Sequence, residues 1–213
     1  MGKFSFGPYG SFSGKLGNIV SYLWRGINVN RIRPRKSSKK ATEPQLASRK
    51  KFSMAQKFVA PLKDYVSVAF HPETRGQARI PQNAASKLFR QHAIYGEYPD
   101  FQVDWSKVMM SKGRLSVPAD TSVSLQGNVL TFNWKSDLGN RRQSKTDQVM
   151  MVAYFPDTLS AEFDVCGAMR YTGTDTLEIW PQDKDRVAET YLAFISYDRQ
   201  EVSDSVYCGQ VVL

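Results

Sequence analysis

The residues of this chain whose types and spacing suggest chemistry lie close together near its start. Lys15, Arg25, Arg31, Arg33, Arg35, Lys36, Lys39 and Lys40 form a dense cationic strip, with two large aromatics, Tyr22 and Trp24, among them. Lysine and arginine neutralise phosphates and release counterions, and an aromatic face stacks on an unpaired base. The strip is therefore a candidate site for nucleic acid or another anionic partner. The plainer alternative is that Tyr22 and Trp24 pack on a neighbouring element while the charges stay solvated. No helix-turn-helix or RNA-binding signature accompanies the strip, so base-specific reading is not suggested.

The elements that must position these residues read as a β-hairpin. From Asn18 the pattern alternates, with Ile19, Ser21 and Leu23 on one face and Val20, Tyr22 and Trp24 on the other. Arg25-Gly26 supplies the reversal, glycine taking positive φ. The return strand runs from Ile27 to Arg33 with Ile27, Val29, Arg31 and Arg33 on one face, and Pro34 stops it. Two strands alone are marginal in water, so the hairpin needs a further surface. Upstream, residues 1–16 space Phe4, Phe6, Tyr9 and Phe12 with small residues. That arm cannot form a core alone, and its aromatics are expected to pack on the hairpin or on a neighbouring subunit. Residues 35–41 read as a short basic linker.

Charge is distributed as unevenly as the motifs. The chain has 213 residues and a formal charge of +9. The first 60 residues hold 13 of the 29 lysines and arginines and a single acid, Glu43, which leaves 16 basic and 19 acidic residues in the other 153. A nearly neutral body thus carries a basic front end. Two cysteines are too few for a disulfide framework, and no stretch reaches the roughly 18–20 apolar residues of a membrane span. The opening MGKFSFGPYGSFSGK lacks the continuous apolar region of a signal peptide. The expected location is the cytoplasm, or a particle assembled there.

The rest of the chain reads as helices followed by strands, and the fold class predicted is α+β. Thr42-Glu43-Pro44-Gln45 opens a helix to about Ala60, where Pro61 kinks it or begins a second one. Arg49, Lys50, Lys51 and Lys57 decorate it. Another helix spans roughly Asn83 to His92. Beyond about residue 100 the candidate strands are 104–110, 121–126, 129–135, 147–155, 161–168, 175–180, 190–198 and 205–212. Their lengths and turn signals predict an antiparallel β-sandwich, and the ending TYLAFISYDRQEVSDSVYCGQVVL resembles the last hairpin of an immunoglobulin or fibronectin type III domain. The expected domains are a glycine- and aromatic-rich arm with the basic hairpin over 1–41, a helical segment over 42–100 and the sandwich over 101–213.

Other chemistry finds little support. Gly10 to Leu16 invites comparison with a phosphate-binding loop, but only three residues separate its glycines, and Leu16 stands where a hydroxyl should meet magnesium. His71 and His92 have no metal-ligand partner at close spacing. Cys166 and Cys208 read most simply as small buried thiols, and the acids Asp183, Asp185 and Glu189 as a solvated turn. No nucleophile elbow, zinc-protease motif or dinucleotide fingerprint is present. No catalytic or metal-binding residue, cofactor or small-molecule substrate is assigned.

The segments GKLGNIV, WRGINVNRIRP, ATEPQLASRKKF, YLAFIS and EVSDSVY, spread over nearly the whole chain, resemble an uncharacterised family of small proteins common in Bacteroidota. That resemblance implies a two-part layout and a bacterial or phage origin, and it transfers no catalytic or binding residue. The function expected is a non-enzymatic assembly or structural protein, of a phage or another particle, whose arm and hairpin contact neighbouring subunits. The alternative is a nucleic-acid-associated protein that grips DNA or RNA phosphates with little sequence preference. A weaker third reading is attachment to an acidic envelope or glycan surface.

Overall fold

The computed structural model describes residues 3–4, 11–24, 26–35, 39–77, 79–136, 144–180 and 186–213. It divides into two compact units, residues 1–42 and residues 43–213. In the first unit, β1 (Lys3–Phe4), β2 (Phe12–Leu16), β3 (Ile19–Trp24) and β4 (Ile27–Ile32) form an antiparallel sheet in the order β1-β2-β3-β4. Gly17, at φ +57°, and Gly26, at φ +82°, sit in the two short reversals where an L side chain is disfavoured. β3 and β4 pair antiparallel, and β2 and β1 extend the sheet on one side.

The second unit begins with helices α1 (Glu43–Val59), α2 (Lys63–Ala69), the single turn α3 (His71–Thr74) and α4 (Pro81–Leu88). Pro61 falls between α1 and α2. Pro81 opens α4, where its missing N–H costs nothing. A π-helical turn over Phe89–Ala93 follows α4, so the helix expected over Asn83 to His92 starts earlier and ends with altered hydrogen bonding. A two-stranded ribbon of β5 (Ile94–Tyr95) and β6 (Gln102–Val103) leads into seven longer strands. These are β7 (Ala119–Gln126), β8 (Val129–Lys135), β9 (Gln148–Phe155), β10 (Ser160–Asp164), β11 (Thr174–Glu178), β12 (Val187–Ile195) and β13 (Val206–Val212). They pair antiparallel in two sheets, β11-β8-β7 and β10-β9-β12-β13.

The four-stranded sheet is covered on both faces. Met150, Val152 and Tyr154 of β9 and Tyr191, Ala193 and Ile195 of β12 join Phe58, Leu62, Tyr65, Phe70 and Phe89 of the helical region in one buried cluster. Val149, Met151 and Phe155 of β9 and Leu192 and Phe194 of β12 join Leu130, Phe132 and Trp134 of β8 and Leu177 of β11 in a second. Phe58 stacks on Phe89 with centroids 4.2 Å apart and also meets the Tyr154 ring at 5.2 Å. The helices therefore complete the core of the sheet. The division at Thr42 and Glu43 is the one between compact units; the break near residue 100 expected from the sequence runs through a shared core.

Two strand boundaries differ for local reasons. The segment 104–110, expected to be a strand, is a 3-10 turn at Trp105–Lys107. There the Asp104 carboxylate accepts hydrogen bonds from the Ser106 N–H at 3.2 Å and its hydroxyl at 2.5 Å. A short acidic side chain has satisfied the backbone in place of a ladder. The strand expected to reach residue 168 stops at Asp164, whose carboxylate accepts from the Cys166 N–H at 2.7 Å. Among the described residues no helix is long and apolar enough to cross a membrane, which says nothing of a β-barrel.

Candidate docking sheet

In the first unit the register of the strands sorts the side chains onto two unlike faces. Opposite residues in β3 and β4 are Ile19 and Ile32, Val20 and Arg31, Ser21 and Asn30, Tyr22 and Val29, Leu23 and Asn28, and Trp24 and Ile27. In β2, Lys15 lies opposite Val20 and Leu16 opposite Ile19. Side chains directly opposite share a face. One face therefore carries Leu16, Ile19, Leu23 and Ile32 around Ser21. The other carries Lys15, Val20 and Arg31 in one row, with Tyr22, Trp24, Ile27 and Val29 alongside.

Among the described residues of this unit, the apolar face is exposed. Leu23 is 65% exposed and Ile32 76%, and Leu16 and Ile19 are exposed as well. Among the unit's described residues only Ser21 is buried, at 2% exposure, and its hydroxyl donates to the Asn30 side-chain oxygen. The sheet thus has a polar clasp between β3 and its edge strand β4, and among the unit's described residues no apolar side chain is buried. Covering an exposed leucine or isoleucine completely stabilises by about 1.5–3 kcal/mol.

The opposite face gathers part of the cationic strip. The Arg31 guanidinium lies over the Tyr22 ring, 5.6 Å from its centroid. Lys15 and Arg31 flank Val20 across three strands. Arg33 continues the ladder, its N–H donating to the Asn18 carbonyl at 2.7 Å, which puts its side chain on the face of Arg31. Arg35, Lys39 and Lys40 lie beyond the strand and are exposed. Tyr22 is exposed, and Trp24 is half-buried. Arg25 and Lys36 lie outside the described residues. The structure thus brings Lys15, Arg31, Arg33, Tyr22 and Trp24 onto one face and leaves Arg35, Lys39 and Lys40 past its end.

The charge division is sharper than the first 60 residues suggest. All nine cations up to Lys40 precede the first acid, Glu43, so the first unit carries the whole formal charge of +9 and the second holds 20 cations against 20 acids. Gly14, Lys15 and Leu16, the end of the phosphate-loop resemblance, belong to strand β2, while Gly10 lies outside the described residues.

In the second unit the other sequence candidates are dispersed. His71 opens α3 and His92 lies in the π-helical turn, and both are exposed. No group of three or more histidine, cysteine or carboxylate side chains is arranged to hold a metal among the described residues. The expectation of two buried thiols is corrected at Cys166, which lies past the end of β10, where its N–H donates to the Asp164 carboxylate, and is exposed; Cys208 is half-buried, and its thiol is pushed up to about 11 by burial. Asp183 and Asp185 lie outside the described residues. Glu189, expected in a solvated turn, is buried in β12 and accepts from the Tyr207 hydroxyl at 2.6 Å and the Gln210 amide at 3.0 Å.

One feature had only a faint sequence signal. A groove of about 830 Å³ runs along α1, α4 and the 97–101 loop, with Lys51, Lys87, Arg90, Tyr98 and Phe101 in its walls. The Lys51 ammonium lies 4.6 Å from the Phe101 centroid. The Arg49-Lys50-Lys51-Phe52 run pointed to α1, but its partners on α4 and the loop come from residues far along the chain.

A family model, described as a family of unknown function (DUF6266), matches residues 11–209. The chain belongs to that family. No curated protein matches this DUF6266 chain. Among solved structures it is similar to a crystal structure of the FN1–FN3 domains of chicken CNTN1, at 10% identity and a TM-score of 0.35. That match covers 48% of this chain and 33% of the other, so the DUF6266 chain spans about a third of the length of that three-domain chain.

Proposed function

We propose that this DUF6266 chain is a non-enzymatic assembly protein whose first unit docks on neighbouring protein subunits through the apolar face of its sheet. The observation that carries this reading is the exposed row of Leu16, Ile19, Leu23 and Ile32 on a sheet in which no apolar side chain is buried among the described residues. A surface of this kind on so small a unit is stabilised by a partner. The second unit serves as the body, and we read its seven strands as a fibronectin type III-like sandwich. The first, second and fifth strands fall in one sheet and the third, fourth, sixth and seventh in the other, an order that supports this reading.

Light scattering over a concentration series of the full chain tests the proposal. Association that rises with concentration, and is lost in Leu23→Asp without change in far-ultraviolet circular dichroism, is the expected result. A chain that stays monomeric at every concentration overturns it.

A second reading has its own observation. The row of Lys15, Val20 and Arg31, with Arg31 stacked on Tyr22, suits a nucleic-acid backbone with occasional base stacking. It requires binding to oligonucleotides that falls steeply with salt and weakens in Arg31→Ala. Binding that ignores salt contradicts it. The two readings are compatible, since they use opposite faces of one sheet.

A further inference from the structure

β4 is the last strand of its sheet, and one hydrogen bond reveals which of its backbone groups face outward. The Arg33 N–H donates to the Asn18 carbonyl at 2.7 Å, so these two residues form a hydrogen-bonded pair of the ladder. Antiparallel ladders alternate such pairs with unbonded ones. Arg31, Val29 and Ile27 therefore also turn their backbone groups toward β3. The N–H and C=O groups of Asn28, Asn30 and Ile32 point the other way, off the edge of the sheet. All three residues are exposed, and no proline interrupts the strand.

An edge of this kind is a template for another strand unless charge or shape prevents it. Here charge selects. The unit has nine cations and no acid, so a basic strand is repelled and an acidic one attracted. A strand laid beside β4 would set alternate residues opposite Ile27, Val29, Arg31 and Arg33 on the basic face. The residues between them would fall opposite Asn28, Asn30 and Ile32, extending the apolar face. Beyond the strand, Asn18, Ile32, Arg33, Pro34 and Arg35 line a hollow of about 370 Å³ that can take one more acidic side chain. A phosphate backbone suits this edge less well. It supplies only acceptors, whereas the edge presents donors and acceptors in alternation.

We propose that the edge of β4 accepts, by strand addition, an extended segment of a neighbouring protein in which acidic and β-branched apolar residues alternate. This rests on the reading of the first unit as a protein-docking module and adds the chemistry of what it docks. The acidic residues meet Arg31 and Arg33, and the apolar ones continue the row that ends in Ile32. Specificity comes from the alternation, and affinity from the backbone ladder.

The test uses the full chain and short capped peptides followed by fluorescence anisotropy. A peptide alternating valine and glutamate binds, and its valine–lysine counterpart does not. N-methylation of the valine nitrogens removes the ladder donors and leaves every side chain in place, and it weakens binding by about tenfold or more. The R31E/R33E variant exchanges its preference and takes the lysine peptide. Equal binding of the N-methylated peptide overturns the proposal, as does equal binding of the lysine peptide. So does an oligothymidylate that binds while the glutamate peptide does not. Light scattering reports separately on the apolar face. A chain that captures the peptide but stays monomeric keeps the edge assignment and removes the assembly reading; one that associates through Leu23 and ignores the peptide does the reverse.

Discussion

Arg170 and its partner Asp147 are both only 2% exposed, and they illustrate how single side chains hold the second unit together. The Arg170 Nε donates to Asp147 at 3.1 Å, one terminal nitrogen donates to the Ser116 carbonyl at 3.1 Å, and the guanidinium lies 3.8 Å from the Phe194 ring centroid. Removing one member of a buried pair strands the other's charge. Arg170→Ala should therefore cost about 3–5 kcal/mol in urea unfolding, and Arg170→Ala with Asp147→Asn should cost less than the two changes summed. Glu162, on β10, is a contrasting case. Desolvation raises its carboxyl above the ordinary glutamate value. The folded state thus binds this proton more tightly than the unfolded chain does. Its favourable contribution is present in acid, below the unfolded pKa, and is lost as pH rises through the raised folded value. Glu162→Gln should accordingly be more stable than the wild type at neutral pH, and the advantage should vanish in acid. An advantage that persists in acid would contradict this account.

At the scale of elements, the strands differ in how plainly the sequence announces them. Leu130, Phe132 and Trp134 alternate with polar neighbours, and β8 follows that alternation with one covered face. In β9 and β12 the apolar runs VMMVAYF and YLAFI hardly alternate, and both are buried throughout. Such continuity is the mark of a strand covered on two sides. It was the available signal that the helices belong to the same core. The two faces of the β3–β4 hairpin were legible from alternation alone, whereas Lys15 joins Arg31 only through the β2 register, which no local pattern fixes. The strap from Ser111 to Leu115 was also hidden, because it lies along residues 202–205 through backbone groups and the Asp204 carboxylate. The Leu115 N–H donates to the Val202 carbonyl at 3.0 Å, and the Gly113 N–H donates to Asp204 at 2.9 Å. A Cβ on Gly113 would stand 1.9 Å from the Val202 carbonyl oxygen. Gly113→Ala should therefore displace the strap at a cost of about 1–3 kcal/mol, read as a lowered midpoint in thermal unfolding.

For the whole molecule, charge and packing divide the chain at the same place. The first unit holds the entire net charge, and the second is balanced. A fragment spanning residues 43–213 should fold, stay soluble and lose the strong cation-exchange retention of the full chain. A fragment spanning residues 101–213 should aggregate, because it would uncover Met150, Val152, Tyr154, Tyr191 and Ile195 on the face the helices occupy. Size-exclusion chromatography of the two fragments separates these outcomes.

The covered central sheet has a consequence for motion. The backbone amides of β9 and β12 bond to neighbouring strands on both sides and lie beneath two layers of side chains. They can meet solvent only when the whole second unit opens. In deuterium oxide these amides should be the last to exchange, at a rate set by global unfolding, while those on the outer edge of β4 should exchange with the ease of an unguarded strand.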